Sequence, residues 1–133
     1  MKIKIPKYPK SMYIGNKKYY LTANIFYSNI HYMIRQKIVK YCKEIIHYTI
    51  LEKKIGLKPI EGEISIEIIF FGEKNPKWDL DNRGYFWMKI IGDYLTSQKI
   101  IEDDNVKKIK SIKMLYKEGK EDEIEINIDE YGK

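Results

Sequence analysis

Apolar and polar residues alternate along Ile64, Ile66, Ile68 and Phe70, with Glu63, Ser65 and Glu67 between them. A period of two marks a strand with one face turned inward. Two more alternating runs lie near the end of the chain. In one, Ile112, Met114 and Tyr116 alternate with Lys113 and Lys117; in the other, Ile124, Ile126 and Ile128 alternate with Glu123, Glu125 and Asp129. Glu118 to Asp122 reads as a hairpin-type connection between these two strands. Ile109 is out of phase with Ile112, which predicts a late start or a bulge. Lys2 to Ile5 also alternates and gives a short strand ended by Pro6.

A different period governs two longer stretches. Ile30, Met33, Ile34, Ile38, Tyr41, Cys42 and Ile45 recur at three- and four-residue spacing. That spacing predicts a helix from about Ser28 to Leu51, with Ser28 as N-cap and Gly56 and Pro59 beyond its end. The second helix, about Asn82 to Gln98, is apolar almost all round, which implies deep burial or a face given to a second subunit. The element order β-α-β-α-β-β predicts an α/β (α+β) fold: one domain over 1–133, with two main helices over a mixed sheet of about four strands. His31 and His47 have no partner at ligand spacing and read as boundary residues.

The candidate chemistry lies in the strand-to-helix junction. Asp79 and Asp81 are two apart, so in an extended backbone they face one side. Asp103 and Asp104 follow the helix. Clustered carboxylates repel unless a cation sits among them, and hard divalent cations such as Mg2+ prefer oxygen ligands. Asp81 also suits a helix N-cap, and an Asp-Asp pair also suits a turn.

Charge sharpens this. The net charge is +6, but no acid occurs before Glu44. Met1 to Lys43 carries +10 and the remainder −4, an asymmetry that points to a polyanion partner. Residues 1–27 form a basic, tyrosine-rich strand and loop. There Lys7, Lys10, Lys17 and Lys18 are interleaved with Tyr8, Tyr13, Tyr19 and Tyr20. Lysines meet phosphates and tyrosines stack on bases, or else the tyrosines pack onto the core. Arg35 and Arg83 are further DNA-facing candidates. No apolar run is long enough to span a bilayer, and the lone Cys42 rules out an internal disulfide and a Cys-based zinc site. Both suit a cytoplasmic location.

Taken together, Asp79-Leu80-Asp81-Asn82, Lys89, Asp93-Tyr94-Leu95 and Asp103-Asp104-Asn105-Val106 resemble the pattern of the RusA-type Holliday junction resolvases, largely phage and prophage proteins. The resemblance implies a homodimeric crossover junction endodeoxyribonuclease in DNA recombination and repair. It would bind branched DNA and resolve four-way junctions by paired nicks. It further implies that Asp79, Asp81 and Asp104 hold Mg2+, for which Mn2+ can substitute, with Asp103 as a further possible ligand. Lys89 would be the required lysine. Lys89 follows Asp81 by eight residues, about one helical turn more than the simplest form of the pattern. That extra turn moves it by ~6 Å along the axis and ~40° around it. Arg83 is the substitute candidate, and an i,i+4 ion pair with Asp93 is the alternative role for Lys89. A second functional reading is a catalytically inactive protein of the same fold that binds junctions or other branched DNA.

Overall fold

The computed structural model describes residues 1–132. The strands are β1 (Lys2–Pro6), β2 (Ser11–Ile14), β3 (Lys17–Tyr20), β4 (Ile64–Gly72), β5 (Ile109–Glu118) and β6 (Glu123–Glu130). The helices are α1 (Asn24–Tyr27), α2 (Tyr32–Glu52) and α3 (Leu80–Ser97). The expected single α+β domain with a mixed four-stranded sheet is the observed architecture.

The order within that sheet is β1-β6-β4-β5. β5 runs parallel to β4, while β6 runs antiparallel to both β4 and β1. The expected β5–β6 hairpin is therefore not formed: β4 lies between the two strands. The reason is apolar content. Ile64, Ile66, Ile68 and Phe70 of β4 are at most 1% exposed, and Ile69 on the opposite face is 4% exposed. A strand buried on both faces belongs in the sheet centre. The β5–β6 connection must then cross the end of β4 closely. Gly119 makes that crossing, donating its N–H to the Gly72 carbonyl at 2.8 Å. A Cβ on Gly119 would stand 3.1 Å from the Cβ of Phe71. The out-of-phase Ile109 has its expected cause: the β4–β5 register shifts between Ile64 and Ser65, leaving Lys110 as the extra residue.

α2 packs over β1, α3 over β5, and the two helices pack on each other. Phe86, Trp87, Ile90, Ile91 and Leu95 of α3 are buried within this one chain, so its apolar circumference is accounted for without a second subunit. The inward stripe of α2 is Ile38, Cys42, Ile46 and Ile50; Met33 and Tyr41 of the expected stripe face solvent. The opposite face of the sheet is laced with polar contacts. Lys2 and Lys4 reach Glu125 at 4.0 and 3.8 Å.

Two starts differ from expectation. Ser28 closes α1 instead of opening the long helix; His31 holds the N-cap of α2, its Nδ1 accepting from the Met33 N–H at 3.2 Å. The stretch read as loop contains the β2–β3 hairpin, whose two-residue turn opens on Gly15 at φ 63°. Glycine tolerates that backbone conformation, and a two-residue turn of this kind favours it.

Arg35 ties these pieces together. Its Nε donates to the Ile25 carbonyl at 2.8 Å and its Nη2 to the Ser28 carbonyl at 3.2 Å. The guanidinium thus closes the α1–α2 junction through its Nε and Nη2. Arg35→Ala is expected to cost about 2 kcal/mol in chemical denaturation, because it leaves carbonyls without their charged donor. Arg35→Lys should recover less than half of this, since a lysine lacks the planar fork.

Candidate active site

β4 ends at Gly72, and the chain reaches α3 through a short loop anchored by Trp78. The Trp78 ring packs edge-on against Phe70 and Tyr116, each with centroids 5.3 Å apart. This contact fixes where α3 begins. Asp79 occupies the N-cap position, with φ −86° and ψ 126°, yet its side chain makes no capping hydrogen bond. Asp81 lies in the first turn, the second residue of the helix rather than its cap. Asn82 touches both acids: its backbone N–H donates to Asp81 Oδ1 at 2.9 Å, and its Nδ2 lies 3.5 Å from Asp79 Oδ2. Both carboxylates are exposed at the positive end of the helix dipole, which favours negative charge.

Asp104 is elsewhere. Its Cβ lies 3.3 Å from the point where a Cβ on Gly92 would stand, and its Oδ2 lies at 3.2 Å. Gly92 is eleven residues beyond Asp81, about 16 Å along the axis and within ~20° of the same azimuth. The topology explains the separation. Because β5 is parallel to β4, α3 must carry the chain back to the opposite end of the sheet before β5 starts beside Ile64. The expected meeting of Asp79, Asp81 and Asp104 at one point does not occur within this chain. Among the described residues, no three His, Cys, Asp or Glu side chains group in a way that could hold a metal ion. Asp103 is spent on its own turn, accepting from the Asp104 N–H at 2.7 Å and the Asn105 Nδ2 at 2.9 Å.

Mg2+ is commonly bound by one or two carboxylates, with waters and substrate phosphate completing its shell. Asp79 and Asp81 both contact Asn82 at the start of α3, although Asp81 is helical and the extended backbone expected between them does not form; Asp104 lies at the other end of the helix. Among the described residues, no lysine or arginine forms an ion pair with Asp79, Asp81 or Asp104. No base among the described residues neutralises these acids.

The candidate cations divide. Arg83 lies over the Trp78 ring at 3.9 Å and donates to the Tyr8 hydroxyl at 2.9 Å. Two residues from Asp81 it points ~200° away and anchors the aromatic cluster at the Asp79 end of the helix, its backbone N–H donating to the Asp79 carbonyl at 3.2 Å. Burial raises the pKa of the Tyr8 phenol, with Arg83 acting in the other direction. Lys89 is exposed, two turns above Asp81, with its Nζ 5.8 Å from the centre of the Tyr85 ring. Its alternative partner Asp93 is instead paired with Lys43 of α2 at 2.8 Å. Lys10 pairs with Asp122, Lys7 is exposed at a left-handed backbone position of φ 50°, and Lys17 and Lys18 project from the hairpin. Lys18 lies 5.1 Å from the Tyr20 ring, which is 62% exposed. Tyr19, by contrast, is 8% exposed; its ring belongs to the core and is withdrawn from base stacking.

Sequence periodicity did not signal a cleft of about 690 Å³ between α2 and α3. Lys40, Lys43, His47 and Tyr94 are among its lining residues. His47 Nδ1 is 2.9 Å from the Tyr94 hydroxyl, a pairing between residues 47 apart in sequence. No protein-family model matches the chain, and no curated protein is significantly similar to it. Among the described residues, no helix is long and apolar enough to cross a membrane.

The placement of Asp104 is directly measurable. Gly92→Cys combined with Asp104→Cys is expected to cross-link under mild oxidation, since the two Cβ positions approach disulfide spacing. Asp81→Cys combined with Asp104→Cys should stay reduced within a monomer. Buried Cys42, its thiol pushed up to about 12, will not compete at pH 8. Intrachain cross-linking of the second pair, read by mass and gel mobility, would show that the carboxylates converge after all.

Proposed function

We propose that this chain is a Mg2+-dependent, RusA-like endodeoxyribonuclease acting on branched DNA, four-way junctions above all. The reading rests on Asp79. An aspartate at an N-cap ordinarily spends its oxygen on the helix, yet this one makes no cap bond and shares the Asn82 side with Asp81. Two such carboxylates, without an ion pair among the described residues, suit a cation and a phosphate.

Each part of the chain has a distinct role in this reading. Asp79 and Asp81 would hold the ion, with Asn82 bracing both. A bound Mg2+ lowers the pKa of a water and neutralises charge building on a scissile phosphate. Lys89, exposed two turns up the same helix, adds positive potential along the strand leading from the acids. Lys17 and Lys18 on the hairpin supply the sequence-independent grip on phosphates. Without the cation, the acids would repel the polyanion that the hairpin attracts.

A second reading, favoured by the separation of Asp104 from the pair, is a protein that binds branched DNA without cutting it. The test uses synthetic four-way junctions and duplex controls, in Mg2+, Mn2+ or EDTA. Metal-dependent nicking is expected, with Asp81→Asn lowering the rate at least ~100-fold and Asp104→Asn less than ~10-fold, the range of a general electrostatic contribution. Equal losses would put all three acids in one centre. Tight binding with no nicking in either metal would leave the non-cutting reading.

A further inference from the structure

Four residues after Asp81 and four before Lys89 stands Tyr85, filling the turn of α3 that separates the acid from the lysine. Residues four apart lie on one face of a helix. Asp81, Tyr85, Lys89 and Asp93 therefore form a single slowly drifting ridge. Tyr85 is not alone there. The Tyr27 hydroxyl, brought by α1, donates to the Tyr85 hydroxyl at 2.6 Å, and the two rings lie 5.3 Å apart, tilted by 33°. Tyr27 is 71% exposed.

The pair is held from behind. Phe26, next to Tyr27 in α1, meets the Tyr85 ring edge-on at 6.2 Å and the buried Phe86 ring at 5.7 Å. The Lys89 ammonium lies over the Tyr85 ring at 5.8 Å from its centre. An exposed aromatic ring held by a fixed hydroxyl contact loses little freedom on binding, and solvent gains from its being covered. The neighbouring groups narrow what would cover it. A lysine beside the rings suits a phosphate, and an open ring face suits a flat π-system; together they describe a nucleotide.

We propose that Tyr27 and Tyr85 form a stacking platform for an unpaired DNA nucleotide, set between Asp81 and Lys89. The Tyr27 ring receives the base. Its hydroxyl is used on Tyr85, whose own proton is thereby left free to donate to a phosphate oxygen. The hydrogen bond to Tyr85 also pushes the Tyr27 phenol pKa upward. The platform gives the chain a way to prefer unpaired nucleotides at a branch over continuous duplex, whose bases are already stacked.

This inference rests on the DNA-binding reading, and the experiment separates the two. The full chain is titrated, in EDTA, onto a four-way junction carrying 2-aminopurine next to the branch point. The same probe in continuous duplex serves as control, with anisotropy reporting affinity and fluorescence reporting stacking. Wild-type protein is expected to bind the junction and quench the probe. Tyr27→Ala should weaken junction affinity about tenfold and abolish the quenching. Tyr27→Phe, which keeps the ring, should retain it. The exposure of Tyr27 makes the alanine variant compatible with folding, and unchanged thermal melting confirms this. Tight binding by Tyr27→Ala with undiminished quenching overturns the platform while leaving the DNA reading intact. No binding by the wild-type protein removes both.

Discussion

The parallel pairing of β4 and β5 is the constraint on which the rest of the molecule depends. Two parallel neighbours cannot be joined by a tight turn, so the chain must return over the sheet before β5 begins. α3 is that return. Its length sets the distance between the loops at its two ends, and its burial against α2 and the sheet sets which residues face out. The Asp79–Asp81 pair sits at one end of this crossover and Asp103–Asp104 at the other. One turn more or less in α3 would shift that separation by about 5.4 Å. The spacing of the acids is therefore a property of the crossover as much as of the acids.

Aromatic contacts convert this frame into a defined helix start. Trp78 wedges between Phe70 and Tyr116, and Arg83 stacks on its free face while bonding Tyr8. The cluster joins the loop after β1, β4, β5 and α3 at one point, beside the two carboxylates. A site built on such rigid packing keeps its geometry more closely than one carried by a loop alone. It also uses up a cation that charge arithmetic would have assigned to the ligand. Of the candidate cations, Lys17 and Lys18 on the hairpin and Lys89 on the outer ridge of α3 stay exposed without an ion pair among the described residues, on either side of the acids in sequence. This disposition suits an extended anionic partner better than a small one.

The candidate site was readable in part, and the residues show why. Spacing alone places Asp79 and Asp81 at the strand-to-helix junction, but the extended backbone expected between them is instead the first turn of α3. Asp104 could not be placed, since its position depends on how far α3 carries the chain. Arg35 and Tyr19 had the right chemistry for DNA but are committed elsewhere: one to the Ile25 and Ser28 carbonyls, the other to the core. Their neighbours in sequence carry no sign of this, because the atoms that claim them come from tertiary packing. Tyr27 and Tyr85, fifty-eight residues apart, became a pair only when α1 was laid on α3.

Local periodicity by itself determined the strands β1, β4, β5 and β6, the helices α2 and α3 and an irregularity near Ile109, while composition set the split of charge between the two parts of the chain. Each of the structural elements reflects side chains repeating every two or every 3.6 residues, information that neighbouring positions contain. The tertiary structure alone decided that β4 divides β5 from β6, that Arg83 turns away from Asp81, and that Asp104 lies against Gly92. Those outcomes depend on which strand must bury both faces and on which side of α3 meets the sheet. Both are settled by the competition of all apolar surfaces for one core, a quantity that no single stretch of sequence contains.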